Sequence, residues 1–235
     1  IIGMGGGITL IAVLYLFLEP AYAIPVHGLM QFVSNVFRSY LFRDDINYDY
    51  LKSFIVILPI GTILGTFVLF EMIKAKPVLP KLVLALFLVY VVFRKKGKQI
   101  DIGVKGFKAL GFVSGFTAMI FGATGPLIAP FFLNDNFERK SLIATKAICQ
   151  TFTHFFKLVM IGLYLAFYEQ PIDTTYFSEQ SLFILFLVAV VFLGTATGKR
   201  MGNSLSEDKF KLIYKSVLFI IALKLIFVDV LPNYI

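Results

Sequence analysis

The sequence predicts an all-α, polytopic membrane protein, and three observations support that prediction. Apolar residues make up 58% of the 235-residue chain, whereas charged residues make up 15%. Apolar segments of about the length that crosses a bilayer recur along almost the whole chain. The chain also repeats a pattern of glycine and polar residues after 119 positions. These features leave too few polar residues for a separate soluble domain.

Eight hydrophobic segments are expected, arranged as two halves of four. They lie at 1–18, 24–42, 51–73 and 77–93 in the first half, and at 104–133, 142–167, 178–198 and 210–231 in the second half. A helix needs about 20 apolar residues to cross a bilayer, and each segment is close to that length or longer. We therefore predict one transmembrane domain over residues 1–235, made of repeat 1 (1–98) and repeat 2 (99–235).

An internal repeat supports the division into halves. A shift of 119 positions aligns, without gaps, Gly3 with Gly122, Gly6 with Gly125, Glu19 with Glu138, Gln31 with Gln150, Phe37 with Phe156, and Arg38 with Lys157. At a shift of 133, the sequence GTILG (61–65) falls on GTATG (194–198). About eighteen residues precede the glycine cluster in the second half and only two in the first, so we expect further residues upstream of position 1.

A stripe of polar residues runs along the second segment. His27, Gln31, Asn35 and Arg38 are three or four positions apart, so they share one face of a helix. A charged side chain in the middle of a membrane is costly and usually faces a bundle interior or a water-filled path. This face is therefore predicted to line a binding or conduction site. The alternative is that Arg38 reaches the headgroups from a helix end, while the amides only join helices.

The second repeat carries a matching stripe. Its members are Lys146, Gln150, His154 and Lys157. Because a glutamine and a cation recur at equivalent positions of the two repeats, a shared site at the centre of the bundle is favoured over independent structural roles. His27 and His154 do not align with each other under the shift, so we do not expect them to bind a metal.

Glycine clusters open both halves. The first reads GMGGG (3–7), and the second reads GATGP (122–126). Consecutive glycines do not continue a helix comfortably, but Pro126 suits the first turn of a new one. A half-helix that begins inside a membrane offers free N–H groups and partial positive charge to an anion. The alternative is close helix packing through small residues.

The distribution of positive charge favours a re-entrant arrangement. If all eight segments spanned, the loops on the two sides would carry eight and nine Lys and Arg residues, which gives no preference. If the glycine-broken segment of each half dips in and returns, the loops divide fourteen against three, with the positive loops in the cytoplasm. Each half then crosses three times, so the halves are inverted relative to each other. Broken helices that cross fully are the alternative.

Composition and motifs disfavour several other classes of protein. The net charge of +8 clusters between apolar segments, so membrane lipid rather than nucleic acid is the expected partner. Cys149 is the only cysteine and lies in an apolar segment, which excludes disulfides and cysteine metal sites, and no cofactor is expected. An intramembrane enzyme is disfavoured because neither a Ser–Asp pairing nor a His-Glu-x-x-His motif accompanies the histidines. A membrane scaffold stays open, with polar stripes that serve only helix association.

These motifs resemble the sulfite exporter TauE/SafE family. The resemblance rests on GMGGG followed by PVHGLMQFVSNVFR (25–38), and on GATGPLIAP (122–130) followed by ATKAICQTFTHFFK (144–157). It implies a multi-pass inner-membrane (cell membrane) transporter, with duplicated four-segment halves, that moves sulfite or organosulfonates and is not an enzyme. The G-x-G-G-G pattern is intact at 3–7, whereas Thr124 and Pro126 replace glycines in the second copy.

Together, the stripes, the glycine clusters and the resemblance predict that a small oxyanion binds between the two repeats near the midplane. Helix N-termini, amide donors and two cations suit an anion with several acceptor oxygens, and rocking of one half against the other would give alternating access. The candidate substrate-binding residues are Gly5, Gly6, Gly7, Gln31, Asn35, Arg38, Thr124, Gly125, Gln150, His154 and Lys157.

Overall fold

The computed structural model describes residues 6–94, 100–132, 137–168, 173, 175–201 and 207–233, which are mostly helical and contain no β-strand. The first half forms α1 (Gly6–Phe17), α2 (Pro20–Leu41), α3 (Tyr48–Ala75) and α4 (Leu79–Phe93). The second half forms α5 (Gly103–Ile120), α6 (Gly125–Phe132), α7 (Arg139–Phe167), α8 (Thr175–Glu179), α9 (Ser181–Met201) and α10 (Glu207–Lys224). Short 3-10 helices occupy Arg43–Asp45 and Leu231–Asn233, and a π-helical segment occupies Leu225–Val230. The all-α prediction is confirmed.

Helix length separates the elements that can cross a membrane alone from those that cannot. Among the described residues, Tyr48–Ala75 and Lys140–Phe167 are long and apolar enough by length and composition, whereas α1, α4 and Ser181–Val191 are apolar but shorter. At 1.5 Å per residue, the 15 residues of α4 extend about 22 Å, less than the roughly 30 Å of a hydrocarbon core. Eight separate crossings therefore stay a prediction.

The segment predicted at 104–133 is two helices rather than one. α5 ends at Ile120, and α6 begins at Gly125. Gly122, between them, has a φ of +74°, a left-handed conformation that favours glycine. A Cβ at this position would also lie 2.6 Å from Ile11 Cγ1. The break that the second glycine cluster predicts is therefore present.

α6 turns back along α5. The ring of Phe132, at the end of α6, packs against that of Phe107, near the start of α5, with centroids 5.1 Å apart. Just before α5, the Ile100 N–H donates to the carbonyl oxygen of Pro130 at 3.1 Å. The two ends of the broken segment therefore lie together, and α5 and α6 form a helical hairpin.

The helix starts keep the 119-residue spacing of the sequence repeat. α2 follows Glu19, and α7 follows the equivalent residue Glu138. Both glutamates have extended backbones, with φ −66° and ψ 152° in the first and φ −61° and ψ 153° in the second. Positions 3–5 of the first glycine cluster lie outside the described residues. Within the described part, equivalent positions of the two predicted repeats thus begin equivalent helices.

α3 and α5 lie parallel and very close together, in a contact that we call the α3–α5 seam. A Cβ at Gly111 would overlap the carbonyl oxygen of Phe54, and one at Gly65 would lie 2.7 Å from that of Phe116. Because later residues of α3 face later residues of α5, the two helices run in the same direction. Backbones this close require residues without side chains. The GTILG sequence, which marks the repeat, thus serves close packing here.

α2 and α7 pack antiparallel, in a contact that we call the α2–α7 seam. The rings of Phe32 and Phe155 have centroids 6.2 Å apart, and Ser39 Oγ lies 3.3 Å from Thr151 Oγ1. Moving forward along α2 therefore means moving backward along α7. α2 and α7 are equivalent helices of the predicted repeats, and an antiparallel contact between them is what inverted halves require.

Different helices begin at the two ends of the bundle. At the first end, Tyr50 of α3 packs on Phe107 of α5 and on Phe137, which directly precedes α7. At the second end, the ammonium of Lys81 in α4 pairs with the carboxylate of Glu19, between α1 and α2, at 2.9 Å. α3, α5 and α7 therefore begin at the first end, whereas α2 and α4 begin at the second.

Candidate functional site

A small polar cavity lies where α1, α2, α6 and α7 meet. Its volume is about 10 Å³, which matches the space that one enclosed water molecule needs. The lining residues are Gly7, Ile8, His27, Gln31, Ala123, Thr124, Gly125, Gln150 and His154. Both glycine clusters and both polar stripes contribute to this wall, so the cavity is shared by the two halves of the chain.

The first half contributes the start of α1 and one face of α2. His27 is fully buried, and its Nε2–H donates to the carbonyl oxygen of Gly7 at 2.9 Å. Gln31 follows one turn later on the same face. Its side-chain amide lies against α1, because a Cβ on Gly7 would be 3.2 Å from Gln31 Oε1. α1 and α2 therefore place the Gly7 backbone and the side chains of His27 and Gln31 around the same cavity.

The second half contributes the α5–α6 turn and one face of α7. Thr124 is buried, and its carbonyl oxygen accepts hydrogen bonds from the N–H groups of Leu127 and Ile128. α6 therefore starts here and directs its N-terminus, where N–H groups lack intrahelical partners, at the cavity. Gln150 and His154, one turn apart on α7, complete the wall.

Three buried side-chain atoms of the wall have no hydrogen-bond partner: His27 Nδ1, Thr124 Oγ1 and His154 Nδ1. The two histidine rings meet across the α2–α7 seam, with centroids 5.7 Å apart. An unpaired buried polar group costs about 1–3 kcal/mol, so nearly all such groups are paired in folded proteins. Their concentration here indicates a place where a polar ligand would complete the hydrogen bonds.

The charge around the cavity is positive. Lys157 is fully buried, and its Nζ donates to the carbonyl oxygen of Gly122 at 3.4 Å. Its ammonium interacts electrostatically with both His27 and His154. In the described part of the chain, no Asp or Glu is buried. A buried cation without a nearby carboxylate favours an anionic ligand over a metal cation.

A further cation, the Arg94 guanidinium, is hydrogen-bonded to the start of α6. Arg94, directly after α4, donates from Nη1 to the carbonyl oxygen of Pro126 at 2.7 Å. Pro126 follows Gly125, which lines the cavity. The sequence predicted Arg94 only as part of a positive loop. Its contact with α6 depends on the path of the chain between α4 and α5, which has no local sequence signal.

The structure brings many of the predicted site residues together and leaves others outside the cavity wall. Those that line the cavity are Gly7, Gln31, Thr124, Gly125, Gln150 and His154. Lys157 lies beside it. The side-chain amide of Asn35 donates to the backbone carbonyl of Gln31 at 2.8 Å, within α2, and Arg38 is half-buried away from the wall. Gly6 is exposed at the start of α1, and Gly5 lies outside the described residues.

His27, Ile8 and Ala123 line the cavity but are not among the candidate substrate-binding residues, although His27 belongs to the predicted polar stripe. The spacing of His27 from Gln31 was the available signal, since four positions place both on one helix face. Because the two histidines do not align under the repeat, the sequence argued only against a shared metal role and gave no prediction of their contact. In the structure they pair across the seam because antiparallel packing brings different positions of the two repeats opposite each other.

The helices and this cavity define a membrane protein with a polar, positively charged interior. The family model for the sulfite exporter TauE/SafE family matches residues 1–225 of the 235-residue chain. The chain therefore belongs to the sulfite exporter TauE/SafE family, a family of membrane transporters, and the predicted resemblance is confirmed. No curated protein and no solved structure matches the chain.

Proposed function

We propose that this protein is a secondary transporter of small oxyanions, with sulfite and organosulfonates as its substrates. The observation that carries the proposal is the cavity between the halves, where Gly7 of α1 and the start of α6 meet Gln31 and Gln150. Membership of a sulfite exporter family supports the same substrate class. Sulfite and the sulfonate group both present three acceptor oxygens to a donor-rich site.

The wall of the cavity supplies donors that suit such a group. The side-chain amides of Gln31 and Gln150 and the unpaired hydroxyl of Thr124 hydrogen-bond the oxygens. The N–H groups at the starts of α1 and α6 add partial positive charge. Lys157 contributes a full charge from beside the wall. Charge-assisted hydrogen bonds of this kind are about twice as strong as neutral ones.

Transport in this proposal requires that the halves move. A cavity of about 10 Å³ matches one water molecule, not a four-atom anion, so the substrate enters only when the walls separate. The α2–α7 seam is the surface along which repeat 1 rocks against repeat 2, exposing the site to each side in turn. Export of an anion from a negative-inside cell is downhill by about 2.3 kcal/mol per charge per 100 mV.

We also propose that α5 and α6 form a re-entrant hairpin and that the first end of the bundle faces the cytoplasm. The return of α6 to the start of α5 supports this arrangement. The first end also carries described cations from the positive loops of the re-entrant topology, among them Arg43, Lys105 and Lys140. The multi-pass protein would then lie in the cell (inner) membrane with inverted halves.

The double substitution Gln31→Leu with Gln150→Leu tests the site. We expect sulfite efflux from proteoliposomes to fall by about a hundredfold, because each glutamine donates a hydrogen bond to a charged ligand worth roughly a factor of ten. Gln180→Leu, which makes the same change in the turn between α8 and α9, is the matched control and should transport normally. Undiminished efflux by the double variant would overturn the site.

A further inference from the structure

The α2–α7 seam continues past the cavity toward the first end, and it carries more positive charge there. Lys146 lies one turn before Gln150 on α7, about 6 Å along the helix axis. Arg38 lies two turns after Gln31 on α2, about 10 Å along the axis. Because the two helices run antiparallel, both offsets point in the same direction. Two cations therefore lie on the first-end side of the glutamine pair.

The Lys146 ammonium is buried without a partner. Its side chain is 3% exposed, and Nζ makes no hydrogen bond. The charged group that acts on it is the Arg38 guanidinium, which carries the same sign. No Asp or Glu is buried in the described part of the chain. Burying an ammonium next to another cation is costly, and an anion bound between them would offset that cost.

The hydroxyl groups nearby do not satisfy Lys146. Ser39 donates to the carbonyl oxygen of Asn35 at 2.7 Å, and Thr151 donates to that of Ala147 at 3.1 Å. The two hydroxyls then lie 3.3 Å apart across the seam. These bonds hold α2 and α7 together beside Lys146 but leave its Nζ unpaired.

The two residues at the equivalent positions each donate to a backbone carbonyl oxygen. Under the shift of 119, Lys146 corresponds to His27, and Arg38 corresponds to Lys157. His27 donates to the Gly7 carbonyl oxygen, and Lys157 donates to the Gly122 carbonyl oxygen. The first-end pair thus differs from its counterpart in having a buried cation for which the protein supplies no acceptor.

We propose that Lys146 and Arg38 form a second oxyanion-binding site on the α2–α7 seam, between the first end and the cavity. The choice of a sulfite or sulfonate ligand rests on the proposed function. The Lys146 ammonium would bind the anion directly, and Arg38 would add charge and further donors. A site one helical turn from Gln150 is close enough to pass an anion to the cavity as the halves move. The second site would explain why Lys146 is buried although it does not line the cavity.

The test is calorimetric titration of the purified protein with sulfite, combined with sulfite efflux from proteoliposomes. We expect the wild type to bind two sulfite ions per chain and Lys146→Met to bind one. In the efflux assay, Lys146→Met should raise the sulfite KM about tenfold, the usual weight of a charged hydrogen bond. Lys146→Arg, which keeps the charge, should restore both values in part.

Lys140→Met is the matched control, because it removes a lysine charge from an exposed position of the same helix. It should bind and transport like the wild type. The melting temperature of Lys146→Met without anion should equal or exceed that of the wild type, because an unpaired buried charge is removed. A lower melting temperature would mean that Lys146 stabilises the fold without a ligand, and it would overturn the proposal.

The outcomes separate this inference from the proposed function. If the wild type transports sulfite but binds one ion, and Lys146→Met is unchanged, the second site is overturned while transport stands. If the Gln31→Leu, Gln150→Leu variant keeps full efflux while Lys146→Met loses one bound ion, the cavity assignment fails and the second site is supported. A wild type that binds no sulfite overturns both.

Discussion

The α3–α5 seam and the α2–α7 seam both bury polar side chains, but they treat them in opposite ways. In the α3–α5 seam, the hydroxyls of Ser53, Thr62 and Thr66 each donate to a backbone carbonyl oxygen, at 2.6, 2.9 and 2.7 Å. Along the α2–α7 seam, His154 Nδ1 and Lys146 Nζ have no partner. In the α3–α5 seam, these hydroxyl groups are hydrogen-bonded within the protein. In the α2–α7 seam, some buried polar groups stay without a partner.

The difference shows which polar residues to connect with function. Buried polarity alone does not mark a site, because a threonine in a helix can bond its own backbone and serve packing. An unpaired buried donor lowers stability by about 1–3 kcal/mol, and it persists in functional proteins where a ligand or a second conformation compensates it. The α3–α5 seam is therefore the structural contact, and the α2–α7 seam is the candidate surface for ligand binding.

The largest expected effect is in the close-packed seam. Gly111→Leu should abolish folding, because even a Cβ overlaps the Phe54 carbonyl oxygen and backbone overlap exceeds the few kcal/mol that a typical domain can lose. The measurement is the yield of monodisperse protein in size-exclusion chromatography. Gly162→Leu, on α7 with no atom within 4 Å of its Cβ position, is the control and should fold. A well-folded Gly111→Leu protein would show that the seam is not close-packed.

A second experiment tests the direction of the helices in the two seams. α3 and α5 run parallel, whereas α2 and α7 run antiparallel. Asp101→Cys, before α5, and Asp173→Cys, after α7, occupy exposed positions at opposite ends of the bundle. Cys149 is fully buried, so it gives little background. We expect a membrane-impermeant maleimide to label Asp173→Cys in intact cells and Asp101→Cys only in inverted vesicles. Labelling of both from one face would contradict the re-entrant arrangement.

The smallest expected effect compares one threonine from each region. Thr62→Val removes a satisfied hydroxyl, so it should lower stability by about 1 kcal/mol and leave the sulfite affinity unchanged. Thr124→Val removes an unpaired hydroxyl from the cavity, so it should leave the melting temperature unchanged or higher and weaken sulfite binding. Melting curves and calorimetric titrations of both variants provide the measurement. The reverse pattern would break the distinction between the two seams.

Much of the fold follows from local sequence signals. The apolar composition predicted helices, and the glycine cluster at 122–126 predicted the break that the structure shows. Glu19 and Glu138, which the 119-residue shift aligns, directly precede α2 and α7. These features depend on residues within a turn or two of each other, so a single sequence contains them.

The rest depends on where helices cross, which helical periodicity does not fix. Periodicity placed Gln31 and Arg38 on one face of α2, but only the part of that face near Gln31 borders the cavity. Periodicity likewise did not pair His27 with His154, because that contact needs the antiparallel offset of two helices. The side chain of Asn35 donates a hydrogen bond to its own helix instead of to the cavity. Any buried amide on a helix can do the same, so the sequence does not distinguish the two cases.

The two ends of α4 give the molecule a mechanical link. Lys81, in its first turn, pairs with Glu19 at the corner of α1 and α2, and Arg94, just after its last turn, bonds Pro126 at the start of α6. α4 thus acts as a rod of roughly 20 Å between the two half-helices that flank the cavity. We therefore expect a displacement of α6 to move the α1–α2 corner for as long as both side-chain contacts hold.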